Sequence, residues 1–182
     1  MKWKRLTSTT VYDNPWITVY DEQVINPAGG ENRYGRVSFK NRAVAILPLA
    51  ENGDTWLVGQ QRYTLGAYSW ELPMGGAPLH EDPLAAAKRE LSEETGLRAQ
   101  KWQQIQKLHT SNSITDECGL VFLAEELQQG SMELEASEDI TVKILPLAEA
   151  VEWVMDGRIT DAISVAALLK VWMSRENSKV NE

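Results

Sequence analysis

The sequence predicts an α/β layered domain preceded by a small antiparallel sheet. Three observations predict it. The first 40 residues hold two runs rich in Thr, Val, Ile, Tyr and Trp, which is strand composition, and a third strand-like run after a turn. Two further runs, 42–48 and 56–62, also read as strands, the first of a buried type. Segments 83–95, 147–156 and 161–174 read as helices. Strands interleaved with a few helices build layered α/β or α+β domains.

The elements follow in order. Residues 3–12 and 16–25 form two strands broken at Asp13-Asn14-Pro15, and Asn26-Pro27-Ala28-Gly29-Gly30 is a turn before a third strand at 32–40. The run Arg42-Ala43-Val44-Ala45-Ile46-Leu47-Pro48 is the buried-type strand. Asn52-Gly53-Asp54 turns the chain into the strand from Trp56 to Arg62. The helix at 83–95 is bracketed by its own signals. Asp82 stands at the N-cap, Pro83 at the first helical position, and Gly96 where a left-handed C-terminal residue belongs. Ala85, Ala86 and Ala87 are strong helix formers. The helix at 147–156 places Leu147, Ala150, Val151 and Val154 on one face and stops at Gly157. The last eight residues are polar and expected to fray.

The bulk numbers exclude several classes. The chain has 182 residues, enough for one domain with a small appended unit and a real core. Hydrophobic content of 43% and charged content of 24% are those of an ordinary soluble protein. A net charge of −8 argues against a nucleic-acid polymer as partner. It does not argue against a nucleotide, since a metal can bridge acidic side chains to phosphate. Cys118 is the single cysteine, so an internal disulfide and a thiolate zinc cluster are excluded. No apolar run approaches the roughly 20 residues that span a bilayer, and a cytoplasmic location with no membrane partner is the expectation.

Residues 75–97 hold the chemistry. Glu90, Glu93 and Glu94 fall within an arc of roughly 100° on one helix. Like charges so spaced repel one another, so the face points into water or holds a cation. Oxygen ligands alone suit a hard ion, Mg²⁺ or Mn²⁺. Leu84, Ala87 and Leu91 form the apolar stripe, and Ala86 shares the acidic arc, where a small side chain leaves room for metal or substrate.

The spacing adds to this. Gly75 is followed after five residues by Glu81. Seven more lead to Arg89-Glu90-Leu91-x-Glu93-Glu94-x-Gly96-Leu97. This pattern matches the Nudix box at every defining position, and the chain resembles a Nudix hydrolase. The flanks Gln60-Gln61-Arg62-Tyr63, Ser69-Trp70-Glu71-Leu72-Pro73 and Asp156-Gly157-Arg158-Ile159-Thr160-Asp161-Ala162-Ile163-Ser164 look like the ADP-ribose pyrophosphatase and nucleoside-diphosphate-sugar branch. The likeness runs from about residue 40 onward.

The resemblance implies an α/β/α sandwich with a mixed sheet, in which the box forms a loop–helix–loop. It implies metal-dependent hydrolysis of a nucleoside diphosphate sugar to a nucleoside monophosphate and a sugar phosphate. Glu90, Glu93 and Glu94 would be metal ligands and catalytic residues, with the Met74 carbonyl as a further ligand. Gly75, Glu81, Arg89 and Gly96 would be structural, with Glu81 and Arg89 joined as a salt bridge. Glu71 would join the metal shell or bond to backbone N–H groups. Arg62 would hold the diphosphate or the ring of the substrate. The general base is expected in the loop before a late strand, with Glu138 first and Glu135 second. The family's usual Ser-Pro-Gly run is absent at Ser111-Asn112-Ser113, which leaves a role for Glu117 open. His80 reads as a loop residue and His109 has no assigned role.

Strands like that bearing Arg33, Tyr34 and Arg36 often reach a partner subunit's site in this branch. A homodimer is therefore expected, with residues 1–40 as the dimerisation element, 41–175 as the hydrolase domain and 176–182 as a polar tail. Of the seven tryptophans, Trp3 and Trp16 lie in the N-terminal strands, where core filling, an interface or base stacking are open. Two alternatives stand beside this reading. One is a Nudix hydrolase of a dinucleoside polyphosphate, nucleoside triphosphate or coenzyme A. The other is a non-catalytic nucleotide-sugar sensor, although sensors often lose box glutamates that this chain keeps.

Overall fold

Thirteen elements are seen in a computed structural model that describes residues 2–131 and 139–180. In chain order they are β1 (Lys4–Asp13), β2 (Ile17–Ile25), β3 (Glu31–Phe39), β4 (Asn41–Pro48), β5 (Asp54–Arg62), β6 (Ala67–Glu71) and β7 (Met74–Pro78). There follow α1 (Pro83–Thr95), β8 (Leu97–Leu108), β9 (Gly119–Gln129), β10 (Thr141–Pro146), α2 (Leu147–Met155) and α3 (Ala162–Val180).

The first three strands form an antiparallel sheet in the order β1-β2-β3. Asn14 shapes its first turn, accepting from the backbone N–H of Trp16 and Ile17. Asn26 shapes the second, accepting from Ala28 and Gly30, as Asn side chains do in turns. β1 is exposed along its whole length. Trp3 and Trp16 are exposed as well and are not core residues.

A mixed sheet, β7-β4-β9-β8, forms the centre, with β4 and β9 parallel and the other pairs antiparallel. Alternation along β4 divides the core in two. Val44 and Ile46 pack with Ala86, Ala87 and Leu91 of α1 and with Leu120 and Phe122 of β9. Ala45 and Leu47 face the other way, into a cluster with α2 and α3 built on Trp153, Ile163, Ala167 and Leu168. Helices therefore cover both faces of the sheet, giving the α/β/α sandwich. A second antiparallel sheet, β10-β5-β6, carries Arg62 and Glu71.

The expected ends of α1 are observed. Asp82 is extended, with ψ 121°, and accepts from the Ala85 N–H at 3.1 Å. Gly96 is left-handed, with φ 71°.

Three expectations need correction. The glycines of the box lie in a strand rather than a loop, because Gly75 and Gly76 pair with Val44 and Ala43 of β4. Ala86 is fully buried in the core. Its small side chain lets the helix press against the sheet, and it leaves no room for a ligand. The last helix does not end at 174 but runs to Val180. The Ser174 and Ser178 hydroxyls follow the helix by bonding to carbonyls one turn back.

Candidate active site

A cleft of about 630 Å³ lies between α1, β7 and the end of β5. Its walls include Gly75, Gly76, Glu81, Arg89, Glu90, Glu93 and Glu94, together with Arg62, Met74, Asn41 and Gln60. Sequence reasoning names most of these. It reaches Gln60 only as part of a motif and misses Asn41. No local signal marks Asn41, which reaches the cleft because β4 carries it beside Gly76.

The glutamates are held differently from one another. Glu94 is 1% exposed and accepts the Met74 backbone N–H at 2.9 Å. Helix and strand are thus joined at the cleft. Glu90 is also buried, and its carboxylate lies against Gly75. A methyl group on Gly75 would fall 2.1 Å from the Glu90 Cδ. The glycine is therefore required by close approach rather than by its backbone angles. Glu93 is more open, with 26% of its side chain exposed.

Arg89 departs from the expected pairing. Its Nη1 lies 2.8 Å from Glu90 Oε1 and 2.9 Å from Glu93 Oε2. Its Nη2 donates to the Gly76 carbonyl at 3.2 Å and stands 3.8 Å from Glu81. The Glu81 salt bridge is present but is the longest of the three ion pairs. Burial alone would lower the pKa of Arg89, yet Glu90 and Glu93 outweigh it and hold the guanidinium above its usual value. Helical geometry puts Arg89 off the acidic arc, but its long side chain curls back over it.

Arg62 and Glu71 make a two-pronged pair, with Nε to Oε1 at 3.0 Å and Nη2 to Oε2 at 2.5 Å. This bond to Glu71 raises the Arg62 pKa against the effect of burial, and the Glu94 and Asp161 carboxylates add to it. Glu71 is thus turned to Arg62 rather than to backbone N–H groups or the glutamate cluster. It is 4% exposed. The late motif supports the same corner. Ser164, fully buried, accepts the Leu72 N–H at 2.9 Å, and Asp161 caps α3 by accepting the Ser164 N–H at 2.8 Å.

Other sequence candidates lie elsewhere. Arg33 pairs with Asp21, and the Tyr34 hydroxyl donates to the Ser113 carbonyl. Arg36 contacts Glu22 and Asp116 at 3.3 and 3.5 Å and stacks 4.3 Å over Tyr20. None of the three lines the cleft of its own chain. Glu117 accepts from Thr110 and is also outside the cleft. His80 is an exposed turn residue, and His109 contacts the Glu117 carbonyl. Glu138 and Glu135 lie outside the described residues.

The donor set fits a hard divalent cation. It consists of carboxylate oxygens gathered along one cleft, with the Glu90 carboxylate seated against Gly75. Among the described residues no three acidic, His or Cys side chains are already arranged as a metal-holding group. Glu90 and Glu93 are turned to Arg89, and Glu94 to the Met74 N–H.

The chain is similar to known proteins over most of its length. A family model described as the NUDIX domain matches residues 39–166. A second, described as the nucleoside diphosphate sugar hydrolase N-terminal domain, matches residues 3–37. The chain is 36% identical over 169 residues to an ADP-ribose pyrophosphatase of Mycobacterium tuberculosis, covering 91% of this chain and 81% of the relative. It is 32% identical over 167 residues to one of Bacillus subtilis, covering 91% and 90%. A crystal structure of an ADP compounds hydrolase superposes with a TM-score of 0.84 at 24% identity, covering 97% of this chain and 96% of the other, which shows the shared fold.

Proposed function

This chain belongs to the NUDIX domain family and is a Nudix hydrolase, and we propose that it cleaves the diphosphate of a nucleoside diphosphate sugar such as ADP-ribose. The products are a nucleoside monophosphate and a sugar phosphate. The observation that carries the reading is the meeting of Glu90, Glu93 and Glu94 with Arg62 in one cleft floored by Gly75 and Gly76. The relatives named ADP-ribose pyrophosphatase, aligned over nearly the whole chain, support the substrate class.

In this reading Glu90, Glu93, Glu94 and the Met74 carbonyl hold Mg²⁺ or Mn²⁺. When bound, the cation offsets the charge of the diphosphate and acidifies the attacking water. The protein's own groups do the rest. Glu94, fixed by the Met74 N–H, sets the distance between α1 and β7. Arg62, oriented by Glu71, offers its outer N–H groups to phosphate oxygens. Water attacks one phosphorus, the bridging P–O bond breaks, and a carboxylate accepts the proton the water loses. Glu138 is that carboxylate in our assignment, with Glu135 next.

The same reading makes the protein a homodimer whose N-terminal strands, residues 1–40, bring Arg33, Tyr34 and Arg36 to the partner's cleft. Residues 41–175 form the hydrolase domain, whose last helix continues as far as Val180 into the stretch 176–182. Among the described residues no helix is long and apolar enough to cross a membrane, and we place the protein in the cytoplasm with its nucleotide substrate.

A panel of ADP-ribose, other nucleotide sugars, dinucleoside polyphosphates, nucleoside triphosphates and coenzyme A tests the assignment. The products are analysed in Mg²⁺ and Mn²⁺. ADP-ribose or another nucleotide sugar is expected to have the highest kcat/KM. Preference for another class would move the protein to a different branch, and no hydrolysis at all would favour a sensor.

A further inference from the structure

We propose that Arg89 is an exchangeable counter-ion for the glutamate cluster, and that Glu81 is its second seat. The proposal rests on the reading of Glu90, Glu93 and Glu94 as cation ligands. One guanidinium nitrogen bridges Glu90 and Glu93 at 2.8 and 2.9 Å. They belong to two of the carboxylates read above as cation ligands. Arginine stays protonated at any working pH, so the conflict is not relieved by loss of a proton. A cation on the same two carboxylates repels the guanidinium and weakens its hold, and the proposed relief is a move of the side chain.

The structure offers a route. The Arg89 side chain is 38% exposed, so its head group has room to swing. Glu81 stands 3.8 Å from Nη2, within reach of a small rotation of the side chain. The Gly76 carbonyl, 3.2 Å from the same nitrogen, serves as a pivot. Glu90 cannot make the move in place of Arg89, because Gly75 closes on its carboxylate. Without a cation, Arg89 offsets the repulsion among the glutamates. With one, Arg89 goes to Glu81 and its charge remains compensated.

The test measures binding of Mn²⁺ alone, by calorimetry, to the full-length protein and to Arg89→Gln, Glu81→Gln and the double variant. Circular dichroism and melting check that each is folded. Exchange predicts that Arg89→Gln binds Mn²⁺ tighter by at least about threefold, a coupling such a cycle resolves. Glu81→Gln, which takes away the second seat, binds it more weakly, and that loss disappears in the double variant. Weaker binding by Arg89→Gln, or a Glu81→Gln effect that persists in the double variant, overturns the proposal.

A second measurement covers the case in which Arg89→Gln does not fold. The arginine side-chain Nε signals of nitrogen-labelled wild-type protein are followed as Mg²⁺ is added, with Arg89 assigned through Arg89→Lys. Its signal is expected to shift in step with occupancy, and a signal that stays in place while Mg²⁺ binds overturns the exchange. Wild-type protein that binds neither ion overturns the metal reading itself, an outcome distinct from the other two.

Discussion

The carboxylate of Glu90 occupies the space where a side chain on Gly75 would stand, with Cδ and both oxygens 2.1–2.3 Å from that position. Strand and helix are built to fit at this point. Gly75→Ala should therefore push the Glu90 carboxylate aside while the sheet stays intact. Misplacement by about 1 Å costs on the order of 10²-fold in rate, and kcat is expected to fall by about that factor. Metal affinity should weaken with a circular dichroism spectrum like wild type. An unchanged kcat would mean that Glu90 is not at the reacting centre.

The stretch of sequence between β9 and β10 supplies the second prediction. Glu138→Gln should lower kcat strongly with less effect on KM, since a base acts only as the reaction proceeds. Glu135→Gln is the control in the same assay. A Glu138→Gln enzyme within about threefold of wild type, a barrier change under roughly 1 kcal/mol, beside a dead Glu135→Gln enzyme would transfer the role to Glu135. Raising Mg²⁺ should not restore the rate of Glu138→Gln. Recovery would make Glu138 a ligand instead.

Acid should loosen the N-terminal sheet first. The side chain of Glu22 is only 7% exposed and lies between Arg5 and Arg36. Burial pushes its carboxyl up, but bonds from Arg36, Ser8 and Arg5 outweigh this and hold it below its ordinary 4.5. A depressed folded value gives stability that is present above pH 4.5 and is lost as the pH falls through the folded value. Amide exchange in β2 should quicken in that acid range. Glu22→Gln should flatten this dependence and lower the melting temperature at neutral pH. An equally steep acid dependence in the variant would assign the effect to other carboxylates.

Loss of the N-terminal sheet should separate assembly from folding. Val37 donates to the Ile114 carbonyl, and Asp116 accepts from Phe39 and Ser38. These bonds seat the sheet on the hydrolase domain, but the central core does not draw on it. Deleting residues 1–38 should leave a folded protein with weaker self-association and a higher KM. A truncated protein that sediments as a dimer with unchanged KM would contradict the dimerisation element.

The parts legible in the sequence are those set by local chemistry. Asp82, Pro83 and Gly96 delimit α1 because capping depends on a few adjacent residues. The three glutamates can be placed on one face for the same reason. What escapes depends on neighbours distant in the chain. Ala86 is misplaced because an arc drawn on one helix takes no account of the sheet packed against it. Arg89 is misplaced because Cα direction does not say where a long side chain ends. Asn41 enters the cleft only through its register with β7. β8 escapes because Gln and Lys dominate it, and it becomes a strand by pairing along β9.

The most direct test of the central claim is ADP-ribose hydrolysis by wild type, Glu90→Gln and Glu94→Gln at saturating Mg²⁺, with excess chelator as a further condition. Each substitution removes one charge from the acidic face with little change in volume. The amide oxygen introduced by Glu94→Gln can still accept the Met74 N–H that the carboxylate accepts. Folded variants with kcat lower by roughly 10² or more are expected, since each loses a charge that would hold the cation. Wild type in chelator is expected to show no turnover. Near-normal rates in both variants, or full hydrolysis in chelator, would show that the glutamate face of α1 is not where the diphosphate is cut.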